Sequence, residues 1–237
     1  LQSAMGYRSI VNKYGEVATR AYAGRMKVLE MTTGPVGTNV YVLGDVRTRE
    51  AIAVDTATPS VRWLTQQLGD EGWDLRLIVS THRHWDHIGD NAEAVIATGA
   101  TLAAHIADRH GLEVPDAASA PFPIPPSVPA LDLEEGSRIR FGDIDLAVLH
   151  TPGHTEGSVC LLSHEERVLL SGDTLFAGAW GRTDLPGGDA EAMVESLARL
   201  ATLEDGLTVL PGHGPQTSIG REKPWLQMVA QEQKLPF

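Results

Sequence analysis

The sequence predicts an α/β fold: two sheets packed face to face with helices on the outside. Three observations carry this. Short β-branched-rich runs fall in two blocks, over residues 26–55 and 138–170, and segments with helical spacing follow each block. The continuous apolar run Leu75–Ser80 reads as a strand buried on both faces, as in the middle of a layered fold. No period of 20–50 residues repeats, which excludes a solenoid.

The elements follow in order. Leu1-Gln2-Ser3-Ala4 before Met5 reads as a cloning remnant, and residues 6–24, weakly amphipathic, as an N-terminal extension. Residues 25–237 then form one domain. Met26–Met31, Thr38–Leu43 and Ala51–Asp55, separated by Gly, Asp and charged turns, read as successive antiparallel strands. Pro59 ahead of Val61, Leu64 and Leu68 starts a helix. Glu93–Thr98 is helical and Thr101–Ala104 a short strand. Val114–Pro129 holds six prolines and is neither helix nor central strand, so it is a rigid connection or a lid. Arg138–Phe141 and Ile144–Leu149 flank Gly142-Asp143 as a hairpin, and Ser158–Leu162 with Val168–Leu170 makes a second. Ala190–Leu200 is helical, Leu207–Leu210 a strand, and Gly220–Gln231 a last helix interrupted near Pro224.

Composition narrows the function classes. The chain has 237 residues, with 19 basic against 31 acidic side chains, a net charge of −12. That disfavours salt-driven nucleic-acid binding. The single cysteine, Cys160, excludes an internal disulfide framework and reads as strand packing. No apolar run reaches membrane-spanning length, and the start carries no signal-peptide pattern. The expectation is a cytoplasmic monomer or homodimer with no nucleic-acid or membrane partner.

The histidines are not scattered. His105, His110, His150 and His164 stand in ordinary contexts and read as surface or satisfied-core residues. The other five stand beside Gly, Asp and Pro at strand ends. Ser80-Thr81-His82-Arg83-His84-Trp85-Asp86-His87-Ile88-Gly89 follows the buried strand directly. His82 and His84 are two apart, so in extended chain they share a side and can share a metal. Asp86 and His87 follow where the chain turns into a helix, and can serve a neighbouring position. Thr151-Pro152-Gly153-His154, Gly172-Asp173-Thr174 and Pro211-Gly212-His213-Gly214 each put one ligand-type residue in a glycine-containing turn after a strand. Five imidazoles and two carboxylates suit borderline divalent cations, and seven ligands suit two metals sharing one carboxylate.

His-Arg-His-Trp-Asp-His, Thr-Pro-Gly-His, Gly-Asp-Thr-Leu-Phe and Pro-Gly-His-Gly resemble the metallo-β-lactamase superfamily, from about Met26 to Gln227. Gly-Asp-Thr-Leu-Phe followed by Gly181-Arg182-Thr183-Asp184-Leu185-Pro186-Gly187-Gly188, and Pro211-Gly-His-Gly-Pro-Gln-Thr-Ser-Ile-Gly, are similar to its glyoxalase II (hydroxyacylglutathione hydrolase) branch. The resemblance implies an αββα sandwich of two mixed sheets. It implies His82, His84 and His154 on one metal and Asp86, His87 and His213 on a second, with Asp173 and a water bridging them. Two divalent ions, zinc first with iron or manganese suited as well, are the expected cofactors. Full-length glyoxalase II carries a further C-terminal helical region that helps bind glutathione. This chain ends at Phe237, 24 residues after His213, and reads as a short form without it.

Two cations about 3.5 Å apart make hydroxide from a shared water near neutral pH, for attack on a carbonyl carbon. A thiolate leaves without a strong general acid, so a small-molecule thioester is the natural substrate. Asp86 is chiefly a ligand, with a secondary catalytic part in handling the proton. Arg182 is a candidate to bind a substrate carboxylate, with Lys223 behind it. Trp180 and Trp85 are candidates for the mouth of the site. A persulfide dioxygenase, a related branch similar in length, is one alternative; it would hold a single iron by His82, His154 and Asp173. A lactonase or other ester hydrolase is another. A β-lactamase is disfavoured by Asp173 at the bridging place, where the Cys-bearing lactamases differ. A non-catalytic scaffold is disfavoured because all seven ligands are present.

Overall fold

The computed structural model describes residues 8–12, 15–22, 24–116 and 118–236. Eight strands form the first sheet in chain order: β1 (Arg8–Asn12), β2 (Gly15–Tyr22), β3 (Met26–Thr33), β4 (Thr38–Asp45), β5 (Glu50–Val54), β6 (Asp74–Ser80), β7 (Thr101–His105) and β8 (Leu131–Leu133). Pairing is antiparallel from β1 to β5 and parallel from β5 to β8. The second sheet holds β9 (Arg138–Phe141), β10 (Ile144–His150), β11 (Val159–Ser163), β12 (Val168–Gly172), β13 (Thr208–Pro211) and β14 (Thr217–Ser218) in the order β14-β13-β12-β11-β10-β9. Only β12 and β13 run parallel there. Both sheets are mixed, as expected.

Parallel neighbours need crossovers, and the helices supply them. α1 (Val61–Glu71) joins β5 to β6, and α2 (Trp85–Ile88) with α3 (Asn91–Thr98) joins β6 to β7. A 3-10 turn at Ile106–Asp108, α4 (Arg109–Glu113) and the proline-rich loop lead to β8. α5 (Ala190–Leu200) joins β12 to β13, and α6 (Ile219–Glu232) follows β14. Strand alternation sorts the apolar side chains into three cores. Tyr41 and Leu43 face Leu161 and Leu170 between the sheets. Val40 and Val42 point the other way, to Trp63 and Leu64 of α1. Cys160, Leu162 and Leu169 point out to Met193 and Leu197 of α5 and Leu226 of α6. Helix, sheet, sheet and helix are thus four layers around three cores.

Some details differ from the sequence reading. The cloning remnant lies outside the described residues, but the extension supplies β1 and β2, which continue the first sheet beyond β3. The strand β8 and the helix α4 were not foreseen. The last helix is not interrupted: α6 runs through Pro224. Ser218 caps its start by accepting from Arg221 N, and Ile219, Leu226 and Val229 are buried on either side of the proline. Packing of that face outweighs the one helical hydrogen bond that proline forfeits.

Candidate metal centre

Every ligand-type residue singled out above lies just past the C-terminal end of a strand, and these ends meet along one rim. β6 leads into Thr81–His84 and α2, placing His82, His84, Asp86 and His87. From the second sheet, the loop after β10 carries His154, the turn after β12 carries Asp173, and the turn after β13 carries His213. Crowding explains the glycine before His213. A Cβ at Gly212 would collide with Asp173 Oδ1 and the His87 ring.

The side chains form two adjacent groups, His82 with His84 and His154, and Asp86 with His87 and His213. His84 Nδ1 lies 2.7 Å from His154 Nε2, and His87 Nε2 lies 3.1 Å from His213 Nε2. Asp86 Oδ2 is 3.1 Å from His213 Nε2 and 3.4 Å from His87 Nε2. Asp173 stands between the groups. Its Oδ2 is 3.4 Å from His154 Nε2 and 3.5 Å from His213 Nε2, while its Oδ1 is 3.4 Å from His87 Nε2. Two ligand atoms at ~2.1 Å from one tetrahedral cation sit ~3.4 Å apart, so these separations fit shared cations. His82 Nε2 and Asp173 Oδ1 are buried with no hydrogen-bond partner, so each has an unmet need that a cation fills. The donor set and its orphaned atoms suit a binuclear metal site.

The electrostatics agree with that role. Burial and the neighbouring histidines push His82 well below the ordinary imidazole range and His84 down to about 3. Burial also lowers His154 against the pull of Asp173. These three imidazoles are neutral, as metal ligands must be. Burial alone would raise Asp86, but His87 and His213 outweigh it and hold the carboxyl far below its usual range. His87 and His213 go up despite burial: Asp173, Asp86 and Asp55 raise His87, and Asp86 and Asp173 raise His213. The carboxylates that raise these two histidines make this half of the site attractive to positive charge.

A second ring of groups fixes the imidazoles. His154 Nδ1 donates to the Arg182 carbonyl at 2.7 Å, which turns Nε2 inward. His87 Nδ1 bonds Asp55 Oδ2 at 2.8 Å, and Asp55 also accepts from Thr81 N at 2.7 Å and Thr81 Oγ1 at 2.8 Å. Thr38 Oγ1 donates to Asp86 Oδ2 at 3.2 Å. Asp108, fully buried, accepts from Arg83 N, Arg83 Nη1, Thr155 Oγ1 and Gly157 N at 2.7–2.9 Å. One carboxylate therefore ties the His82–His84 segment to the His154 loop. Sequence reasoning missed Asp55 and Asp108. Asp55 left one signal, an aspartate ending a strand, and it sits at φ 56°.

A cleft of about 470 Å³ opens over the two groups, lined by Trp85, Arg182 and Leu185 among others. Arg182 is thus at the cleft, but its guanidinium makes two 2.7 Å bonds to Asp184. Trp85 lines the cleft and packs by its other side against the core beneath α1. Trp180 and Lys223 are not among the cleft residues. Trp180 packs on Trp225 with ring centroids 5.7 Å apart, against the helical layer. The Lys223 ammonium donates to the Leu203 carbonyl at 2.8 Å and pairs with Asp205, because α6 presents it to the turn before β13.

Residues 33–213 match the model of the metallo-beta-lactamase superfamily. An uncharacterized protein of Aquifex aeolicus is 34% identical over 84% of this chain and 94% of its own length. The hydroxyacylglutathione hydrolase GloC of Haemophilus influenzae is 30% identical, covering 74% of this chain and 85% of that protein. A hydroxyacylglutathione hydrolase of Methylococcus capsulatus is 34% identical over 73% of this chain but only 61% of its own length. Among solved structures, the BLEG-1 B3 metallo-beta-lactamase is similar with a TM-score of 0.75 and 34% identity, over 84% of this chain and 99% of that one. TTHA1623 in a di-iron-bound form is similar with a TM-score of 0.73 and 36% identity, over 81% and 96%. Among the described residues, no helix is long and apolar enough to cross a membrane.

Proposed function

Because the chain belongs to the metallo-beta-lactamase superfamily, we propose that it is a metal-dependent hydrolase, and specifically a thioesterase of the glyoxalase II type. The observation that carries the reading is the pair of ligand groups with Asp173 between them. His82, His84 and His154 would hold one cation, Asp86, His87 and His213 the other, with Asp173 shared. Two divalent cations there supply Lewis acidity and lower the pKa of water, so hydroxide is available near neutral pH. Zinc and iron both suit the donors, and the di-iron form of the similar TTHA1623 supports iron beside zinc.

The protein's own groups do the rest. The rings of His82, His84 and His154 are kept neutral by burial and stay available as donors. Arg182 O and Asp55 hold His154 and His87 in their tautomers. Asp86 and Asp173 line the cleft, and the low proton affinity of the Asp86 carboxyl suits it to a ligand's part before a base's. The leaving thiolate needs no acid, and no acidic residue is singled out over the cleft for that purpose.

The test is metal content and thioester turnover on protein purified without chelators or a metal-affinity step. Two metals per chain, with thioester hydrolysis lost on chelation and restored by added zinc or iron, is the expected result. One iron per chain and oxygen consumption with a persulfide substrate would replace this reading with a dioxygenase. The likeness to BLEG-1 supports a second reading, β-lactam ring opening at the same centre. A β-lactam assayed beside the thioesters separates the two by kcat/KM.

A further inference from the structure

A second pocket, about 320 Å³, adjoins the metal cleft and shares His84, Trp85, Ser119 and Leu185 with it. Its far wall comes from the 3-10 turn, α4 and the proline-rich loop, with Ala107, Val114 and Pro115 lining it opposite Leu185 and Pro186. That volume lies at the small end of ligand pockets. We infer that this pocket takes an uncharged apolar arm of the substrate, carried a few bonds from the carbonyl that sits over the metal ligands. The inference rests on the thioesterase reading and names the substrate class.

The walls carry the argument. The polar groups lining the pocket are largely spent on the protein itself. The Arg83 guanidinium donates to Asp108, Glu156 and the Pro186 carbonyl. Asp116 accepts from Ala118 N, and Ser119 Oγ donates to the Asp116 carbonyl. The apolar part of the lining is Trp85, Ala107, Val114, Pro115, Leu185 and Pro186, with His84 and His110 beside it as imidazoles that can be neutral. Trp85 is braced edge-on by Phe122 from the proline-rich loop at 5.6 Å between centroids, so this wall is built by the loop. Charge points the same way. A glutathione-like carrier brings two carboxylates and needs cations to meet them. The two arginines lining the pocket and the cleft, Arg83 and Arg182, are engaged by Asp108, Glu156 and Asp184, in a chain of net charge −12. An arm without charge fits these walls.

The arm belongs either to the acyl group or to the thiol, and two substrate series separate them. One is S-acyl N-acetylcysteamine with acyl chains of two to eight carbons. The other is S-acetyl alkanethiols with thiols of two to eight carbons. Moving one CH2 out of water favours binding about threefold to fourfold. In one series kcat/KM should rise at that rate over several carbons and then level as the pocket fills. Ala107 is exposed at the pocket's far side, so Ala107→Trp fills the space from a position where folding tolerates bulk. In that variant the ratio of kcat/KM between the longest and shortest substrates should fall toward one. A rise in the acyl series assigns the arm to the acid, and a rise in the thiol series assigns it to the carrier. Flat profiles in both series, a rise untouched by Ala107→Trp, or faster turnover of a glutathione thioester than of every apolar substrate would overturn the inference with the thioesterase reading intact. No turnover of any thioester by metal-loaded protein would overturn both.

Discussion

Asp173 stands between the two ligand groups, and the proposed function makes both cation positions depend on it. Its Oδ2 lies near His154 of one group and His213 of the other, and its Oδ1 near His87, so Asp173→Ala should cut bound metal from two per chain to one or none. Unchanged metal content on elemental analysis would remove it from the bridging place. Asp55 touches no ligand atom on the cleft side, yet it holds His87 and Thr81 at once. Groups that orient a ligating imidazole commonly change metal affinity 10–100-fold when removed. Asp55→Asn should therefore weaken one of two metal-binding steps by about that factor in a competition titration with a chromophoric chelator, leaving the other step in place. An equal loss of both steps would mean a general packing role. Cys160 shows the opposite case. Burial pushes its thiol up to about 11, so it is inert packing, as its strand position implied. The candidate ligands were legible because their side-chain chemistry is rare and stood at strand ends. Asp55 and Asp108 were not, because an aspartate in a turn looks the same whether it faces water or four donors.

Among the elements, those with local signals were the readable ones. The Ala190–Leu200 helix begins as drawn, because Asp189 accepts from Glu191 N at 2.8 Å and Ala192 N at 3.1 Å. Replacing Asp189 by Ala should cost about 1 kcal/mol in urea unfolding. A loss within error would mean that packing on the third core alone defines that end. Both hairpins were equally readable, since a Gly-Asp or charged turn between alternating runs is a short-range signal. The strand β8 was not, because its partner β7 lies a whole crossover away and three residues carry no period. Pro224 misled because a proline's local penalty is visible in sequence, while the burial of Ile219 and Leu226 that offsets it is not. The six-proline loop proved to be more than a connection: it supplies Ser119 to the cleft lining and Phe122 as a brace behind Trp85.

For the whole molecule, the alternation of apolar residues was enough to place four layers, because each strand face belongs to one core only. Leu161, buried between the sheets, should cost about 2–5 kcal/mol on replacement by Ala. The pH response follows from the imidazoles. His82, His84 and His154 have folded pKa values below the unfolded one near 6.5, so the unfolded chain binds more protons in that window, and these groups stabilise the fold less as pH falls through it. His87 and His213, raised, act in the opposite sense and give up stability as pH rises through their folded values. Metal binding requires all five neutral, so protons compete with it. Acidifying from pH 7 to 5 should release metal, and the drop in Tm that a chelator causes at pH 7 should shrink at pH 5. A chelator effect of constant size across that range would place the metals elsewhere. Each triad draws two members from the first half of the chain and one from the second, with the proline-rich loop between the halves. A cation held there is then a reversible staple across the seam of the two sheets. A protein nicked in that loop would keep an incomplete set on either fragment, and the reunion of the two pieces would answer to the concentration of free metal.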